Sequence, residues 1–166
     1  MDEHSERFEE GISIAPATVA DVPLLRQLIF ELAEYEHLAA ECEADEVLLA
    51  EWLFGPRAVA EALVAHYRGE PAGMALFFRS FSTFKTLPGL YLEDLFVRPH
   101  LRGRGIGRAL MVYLARLTRE RGYARFEWSV LDWNEPALRF YRALGGVPLG
   151  DWTMWRLSGE ALRDCN

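Results

Sequence analysis

The chain has 166 residues, of which 51% are apolar and 13% aromatic, with 25 acidic against 18 basic side chains and a formal charge of −7. That length and apolar content give one domain with enough core formers to fold, and exclude a disordered chain. The acidic balance speaks against a nucleic-acid binder, which carries a basic surface, and suits a cationic substrate better.

Residues 1–10, "MDEHSERFEE", read as an acidic lead without the apolar core of a signal peptide; residues 11–166 form the domain. "ISIAPAT" is a short first strand ended by Pro16. Asp21 then reads as an N-cap with Pro23 in the first turn, and Leu24, Leu25, Leu28, Ile29 and Leu32 fall on one helix face. "DEVLLAEWLF" predicts a second helix stopping at Gly55-Pro56. "AEALVAHYRGEPAGMALFFRSF" predicts a hairpin around Arg68-Gly69-Glu70-Pro71. "STFKTLPG" reads as a loop before the strand "LYLEDLFV", whose near-continuous apolar character fits a strand covered on both faces. Its exceptions, Glu93 and Asp94, are adjacent, so strand alternation points them to opposite faces.

A glycine turn leads into a helix from Gly107 to near Glu120, with Ile106, Leu110, Leu114 and Leu117 on its stripe and Gly122 beyond its end. "ARFEWSVL" predicts a strand, "NEPALRFYRALGG" a helix with Pro136 in its first turn, and "VPLGDWTMWRLSG" a closing aromatic strand. The order β, α, α, β, β, β, α, β, α, β is that of a single-domain α/β protein, a mixed central sheet with helices on both faces.

Two cysteines, Cys42 and Cys165, make no disulfide framework, and the four histidines form no metal-ligand spacing, so no metal site is expected. The longest apolar stretch, "VLLAEWLFG", is broken by Glu51 and is far shorter than the roughly 18 residues of a membrane span. The expectation is a soluble cytoplasmic protein that binds neither nucleic acid nor membrane.

Chemistry concentrates in "DLFVRPHLRGRGIGRALM", residues 94–111. A strand, a glycine turn and a helix start together suit an anion, because the first helical N–H groups lack partners and the helix dipole favours negative charge there. Glycines remove the Cβ atoms that would keep a phosphate away. Arg102, Arg104 and Arg108 surround Gly103, Gly105 and Gly107. The spacing fails the P-loop, which needs Lys-Ser/Thr after its last glycine, and fails the dinucleotide fingerprint, since Gly107 comes one residue early. Structural glycines in a tight corner are the alternative.

"VRPHLRGRGIGRALM" resembles the acetyl-coenzyme A signature of the GNAT superfamily of N-acetyltransferases, R/Q-x-x-G-x-G/A after a strand, with Arg102, Gly105 and Gly107 in the fixed places. "YLEDLFV", "DWNEPALRFY" and "LIFELAEYE" are similar to segments of the spermidine/spermine and thialysine acetyltransferases, so the resemblance runs from Ile12 to about Leu157. It implies the GNAT fold, acetyl-CoA as cosubstrate, a small-molecule primary amine as acceptor, direct attack in a ternary complex, and a homodimer; the aromatic ending "DWTMWRL" reads either as an intermolecular sheet or helix contact or, equally, as an intramolecular one.

The resemblance also implies roles. The backbone of Leu95, Phe96 and Val97 would bind the coenzyme arm; Arg102, Gly103, Arg104, Gly105, Ile106, Gly107 and Arg108 would hold its diphosphate; Asn134 and Pro136 would meet the arm. Tyr141 would protonate the leaving thiolate, although its place on an apolar stripe equally suits core packing. Glu93 would take the amine's proton, directly or through water; a carboxylate held by Arg98 is the alternative. Asn134 reads equally as a helix cap. Tyr35, Glu36, Glu93, Trp128 and Trp155 would bind the acceptor. Lys85, in a loop where the polyamine enzymes carry an acidic residue, would repel a second ammonium group, and Lys85 or Arg79 would suit the carboxylate of a lysine-like substrate. Two other functions remain open in the sequence: acetylation of a protein lysine or N-terminus, and a non-catalytic acyl-CoA-binding module.

Overall fold

The computed structural model describes residues 11–165 and the backbone of Glu6–Arg7. The rest of the acidic lead lies outside the described residues. Two compact units divide the chain, one up to Ser129 and one from Val130 onward.

The first unit is built on six strands in sequential order: β1 (Glu6–Arg7), β2 (Ile12–Pro16), β3 (Glu61–Tyr67), β4 (Glu70–Ser82), β5 (Leu87–Val97) and β6 (Phe126–Trp128). Neighbours are antiparallel except β5 and β6, which run parallel. Helices α1 (Val22–Tyr35), α2 (Glu46–Phe54) and α3 (Ile106–Glu120) complete it.

Alternation along the strands sorts the core into two layers. Val64, Met74 and Phe96 pack against Leu25, Leu28 and Leu32 of α1 and Leu53 of α2. The alternate strand residues Leu63, Ala75 and Leu92 are buried on the opposite face, where α3 packs across β2 to β5 with Ile106, Leu110 and Leu114 nearly inaccessible. Each such leucine or isoleucine withdrawn from water contributes about 1.5–3 kcal/mol. Gly73 lets β4 and β5 approach, because a Cβ there would run into the carbonyl oxygen of Phe96.

Local chemistry explains most element ends. Arg68 and Gly69, at φ of 52° and 85°, form the two-residue turn between β3 and β4 that matches strand twist. Asp45 caps α2, its carboxylate accepting from the Leu48 amide at 2.9 Å. Helix α3 ends with Gly122 at φ 68°, the Tyr123 amide bonding back to Thr118 and that of Gly122 to Arg119, which satisfies orphan carbonyls. Helix α1 ends the same way, with His37 at φ 63° in the left-handed position.

Three expectations need correction. Asp21 does not cap α1; its carboxylate turns back to the amide and hydroxyl of Thr18 at 2.8 and 2.9 Å. The 3-10 turn Val19–Asp21 already winds Asp21 into helical geometry (φ −86°, ψ −3°), whereas a capping residue needs an extended one. The expected loop "STFKTLPG" is mostly strand: Ser82 pairs with Leu87 and Ser80 with Gly89, leaving only residues 83–86 as the turn. At its tip Phe84 is 95% exposed.

The third correction concerns the second unit. Its helices are α4 (Glu135–Ala143) and α5 (Gly159–Arg163), and residues 147–158 form no strand. The aromatic composition there suits a strand, but strands exist by pairing, this unit has no other strand among its described residues, and Pro148 and Gly150 interrupt the segment. No helix among the described residues is long and apolar enough to cross a membrane.

Candidate active site

The glycine corner follows β5 directly. After a 3-10 turn at Pro99–Leu101, Gly103 (φ 77°) and Gly105 (φ 82°) take the left-handed conformation that side chains disfavour. Gly105 is the N-cap of α3, with no side chain to cap the first amides. The first bond inside the helix is Ala109 N–H to the Gly105 carbonyl at 2.9 Å, so the amides of Ile106, Gly107 and Arg108 precede it and have no helical acceptor. A Cβ on Gly103 would meet nothing within 4 Å. Open space, unpartnered amides and a helix dipole at one corner fit a diphosphate.

The three arginines there differ from one another. Arg102 donates through Nε to the Val97 carbonyl at 2.9 Å, and its guanidinium carbon lies 4.3 Å from the centre of the Tyr35 ring and 5.9 Å from that of Phe96. Arg104 lies over Tyr67 at 5.1 Å. Arg108 is exposed. Two of the three charges are therefore engaged with the protein's own aromatic rings.

Strand β5 has two different edges. Towards β4, Leu95, Phe96 and Val97 pair with Ala75, Met74 and Gly73. Towards β6, pairing stops at Leu92 opposite Trp128. From Glu93 to Val97 that edge has no sheet neighbour among the described residues, so backbone groups of this stretch are available to an extended, amide-bearing ligand.

The carboxylates correct the sequence reading. Asp94 pairs with Leu76 and Leu92 with Phe77, so Glu93 is an extra residue, a β-bulge on β5. The bulge resets the alternation. Asp94 shares the face of Leu76, which packs into the α1–α2 core layer, and Glu93 lies opposite Leu92 on that same face. The two carboxylates thus sit side by side instead of across the sheet. Glu36, the C-cap of α1, completes the group. Burial, then the charges of Glu93 and Glu36, push the Asp94 carboxyl up to about 6; burial also raises that of Glu36. Among the described residues none of the three carboxylates has a side-chain hydrogen bond or ion pair, and they are not grouped as a metal site would require. Glu36 also sits at the negative end of a helix dipole, which adds to the repulsion.

Arg98 does not hold Glu93. Its Nε and Nη2 donate to the two oxygens of Glu31 at 2.9 and 2.8 Å, and its Nη1 to the Pro71 carbonyl at 2.9 Å. It fastens α1 to the end of β5 and leaves the carboxylates without a resident cation.

The remaining expected residues are distributed as follows. Tyr35 packs against the core layer beside Glu36. Trp128 is in register with Leu92, on the α3 face, so the sheet does not bring it to Glu93 and Asp94. Arg79 pairs with Leu90 and is likewise on the α3 face, and Lys85 lies in the exposed hairpin turn. In the second unit Asn134 caps α4, its Oδ1 accepting from the Ala137 amide at 3.3 Å, with Pro136 in the first turn. Tyr141 is partly exposed, its ring 5.2 Å from that of Phe140, and Trp155 is 89% exposed. Sequence reasoning missed the partnership of Asp94 with Glu93, for which β5 alone carries no signal, and overlooked Phe78 and Tyr91, which precede the carboxylates on the same face.

The family model described as "Acetyltransferase (GNAT) family" matches residues 25–145. The chain belongs to this family and is an acyltransferase enzyme; the match runs past Ser129 and takes in residues of both units. It is 35% identical over 164 residues to a thialysine N-epsilon-acetyltransferase of Bos taurus, covering 92% of this chain and 96% of the relative. It is 29% identical to an L-ornithine N5-acetyltransferase of Arabidopsis thaliana, covering 89% and 84%. Among solved structures, an integron cassette protein from the mobile metagenome of V. cholerae superposes with a TM-score of 0.78 at 25% identity, covering 92% of this chain and 96% of that one.

Proposed function

We propose that this enzyme transfers the acetyl group of acetyl-CoA to the terminal primary amine of a small molecule, an amino acid or diamine. The observation that carries this reading is the group Glu36, Glu93 and Asp94, three carboxylates with no cation of their own beside the unpaired edge of β5. An ammonium group relieves their repulsion. The likeness to a thialysine and an ornithine acetyltransferase supports the same acceptor class.

The coenzyme, when bound, supplies an activated thioester. The chain's task is to position it and to free the amine. The amides of Ile106, Gly107 and Arg108 grip the diphosphate, and Leu95 and Phe96 offer backbone groups to the arm. A primary amine with pKa near 10.4 is about 99.9% protonated at neutral pH, which withholds roughly 4–5 kcal/mol of reactivity. Glu93, exposed, takes that proton directly or through water; Asp94, with its carboxyl raised to about 6, is a second proton acceptor beside it. Tyr141 gives a proton to the departing thiolate. Most of the acceleration comes from holding amine and thioester together.

The same reading takes the working form as a cytoplasmic homodimer. Its support is the run of exposed apolar side chains Val147, Leu149, Trp152, Met154 and Leu157, more than a monomer ordinarily leaves in water. Light scattering reads the mass directly, and a single-chain mass at micromolar concentration would remove the dimer.

A panel of amines assayed by thiol release from acetyl-CoA tests the function, with thialysine, ornithine, lysine and spermidine as first members. Turnover of at least one terminal amine is expected. Calorimetry showing no binding of either acetyl-CoA or coenzyme A would end the reading.

A further inference from the structure

The sheet face that carries the carboxylates also carries two aromatic rings, and the geometry points to their use. Phe78 and Tyr91 are cross-strand partners on β4 and β5, with ring centres 5.1 Å apart and planes tilted by 34°. Phe78 is two residues from Leu76, and Leu76 pairs with Asp94, so all four share one face. Tyr91 lies two residues before Glu93, about 7 Å along an extended strand. Its ring is held in place by a hydrogen bond of 2.6 Å between its hydroxyl and that of Ser129.

The core layer formed with α1 and α2 extends to Leu76 but does not include Phe78 or Tyr91, and both remain partly exposed. Strand β3 begins at Glu61, opposite Phe77, so from Phe78 onward β4 projects past it with β5. Level with Tyr91 on the neighbouring strand β6, and on the same face, is Glu127, already paired with Arg125 at 2.8 Å. Along the strand the aromatic pair therefore meets unpaired carboxylates, and beside it on β6 lies a neutralised one.

We propose that Phe78 and Tyr91 are a shelf for the alkyl stem of the acceptor, selecting primary amines with an unbranched chain whose reacting nitrogen lies at Glu93 and Asp94. This inference rests on the function proposed above and adds the stem-binding surface to it. The occupant is set by charge and polarity: a cationic head at the unpaired carboxylates and an apolar stem over the rings.

The experiment is a homologous series of n-alkylamines, from ethylamine to hexylamine, assayed by thiol release with the full chain. In the unsubstituted enzyme kcat/KM should rise about fourfold per added methylene, the gain for burying one such group. Phe78→Ala and Tyr91→Leu should flatten that slope to under about twofold per methylene, while Tyr91→Phe, which keeps the ring, should preserve it. Coenzyme affinity measured by calorimetry should stay within about threefold in all variants, which a general loss of structure would not allow. If Phe78→Ala melts below the assay temperature, Tyr91→Leu carries the comparison. A flat slope in the unsubstituted enzyme, or an undiminished slope in either truncated variant, overturns the shelf alone. An enzyme that binds coenzyme yet acetylates no amine overturns the proposed function, and the shelf with it.

Discussion

The guanidinium of Arg102 lies 4.3 Å from the centre of the Tyr35 ring, with its Nε bonded to the Val97 carbonyl at 2.9 Å. One side chain from the glycine corner thus braces both the end of β5 and the last turn of α1, next to Glu36. A side chain that lies over a ring while its Nε donates to a carbonyl is particular to arginine. Arg102→Lys keeps the charge and should lower stability by about 1 kcal/mol, raise KM for the amine, and leave coenzyme affinity nearly unchanged. Arg108→Ala should do the opposite, weakening coenzyme binding several-fold and reducing its salt dependence. Calorimetry at two ionic strengths, paired with steady-state kinetics, separates the two arginines.

Gly103 and Gly105 both take positive φ, at 77° and 82°, and substitution at Gly103 separates backbone strain from ligand binding. Gly103→Ala meets no atom within 4 Å, so its penalty in the free protein is the backbone strain at φ 77°, about 1–2 kcal/mol. Its methyl group would enter the space assigned to the diphosphate, and coenzyme affinity should fall by about tenfold, or 1.4 kcal/mol. Thermal melts and calorimetry on the same preparation give both numbers. A variant that melts lower yet binds coenzyme normally would show the corner to be a structural turn only.

Asp94 links activity to stability through pH. Its carboxyl is raised from the ordinary 3.8 to about 6 by burial and by Glu93 and Glu36, so between about pH 4 and 6 the folded state binds more protons than the unfolded one. Stability then falls as pH rises through that window and stays lower above it. The charged form destabilises the fold by about 2–3 kcal/mol at pH 7.5. Asp94→Asn should therefore raise the melting temperature at pH 7.5, with the gain vanishing near pH 4. The same variant should lose the inflection near pH 6 in its kcat/KM profile, together with most of its activity. Melts across pH and a pH–rate profile are the readouts.

Tyr141 tests the acid. Tyr141→Phe retains the ring and its neighbour Phe140 but removes the proton; kcat should fall about a hundredfold with coenzyme affinity unchanged. Equal kcat in tyrosine and phenylalanine forms would leave Tyr141 as packing.

Much of this protein was determined locally. The leucine spacing of α1, the Arg68-Gly69 turn, the cap at Asn134 and the glycine corner are each set by residues within a few positions of one another, because helix periodicity, turn conformation and capping are short-range properties. The position of Asp94 is not. Strand β5 read alone alternates, and alternation puts Glu93 and Asp94 on opposite faces; only pairing with β4, where Leu76 takes Asp94 and Phe77 takes Leu92, inserts the bulge that brings the carboxylates together. The partner of Arg98 lies 67 positions away in Glu31, and that of Arg102 in Tyr35. Register and long-range ion pairing are choices between distant segments, so the parts of the site could be read from the sequence, while the face each part occupies was decided by the sheet.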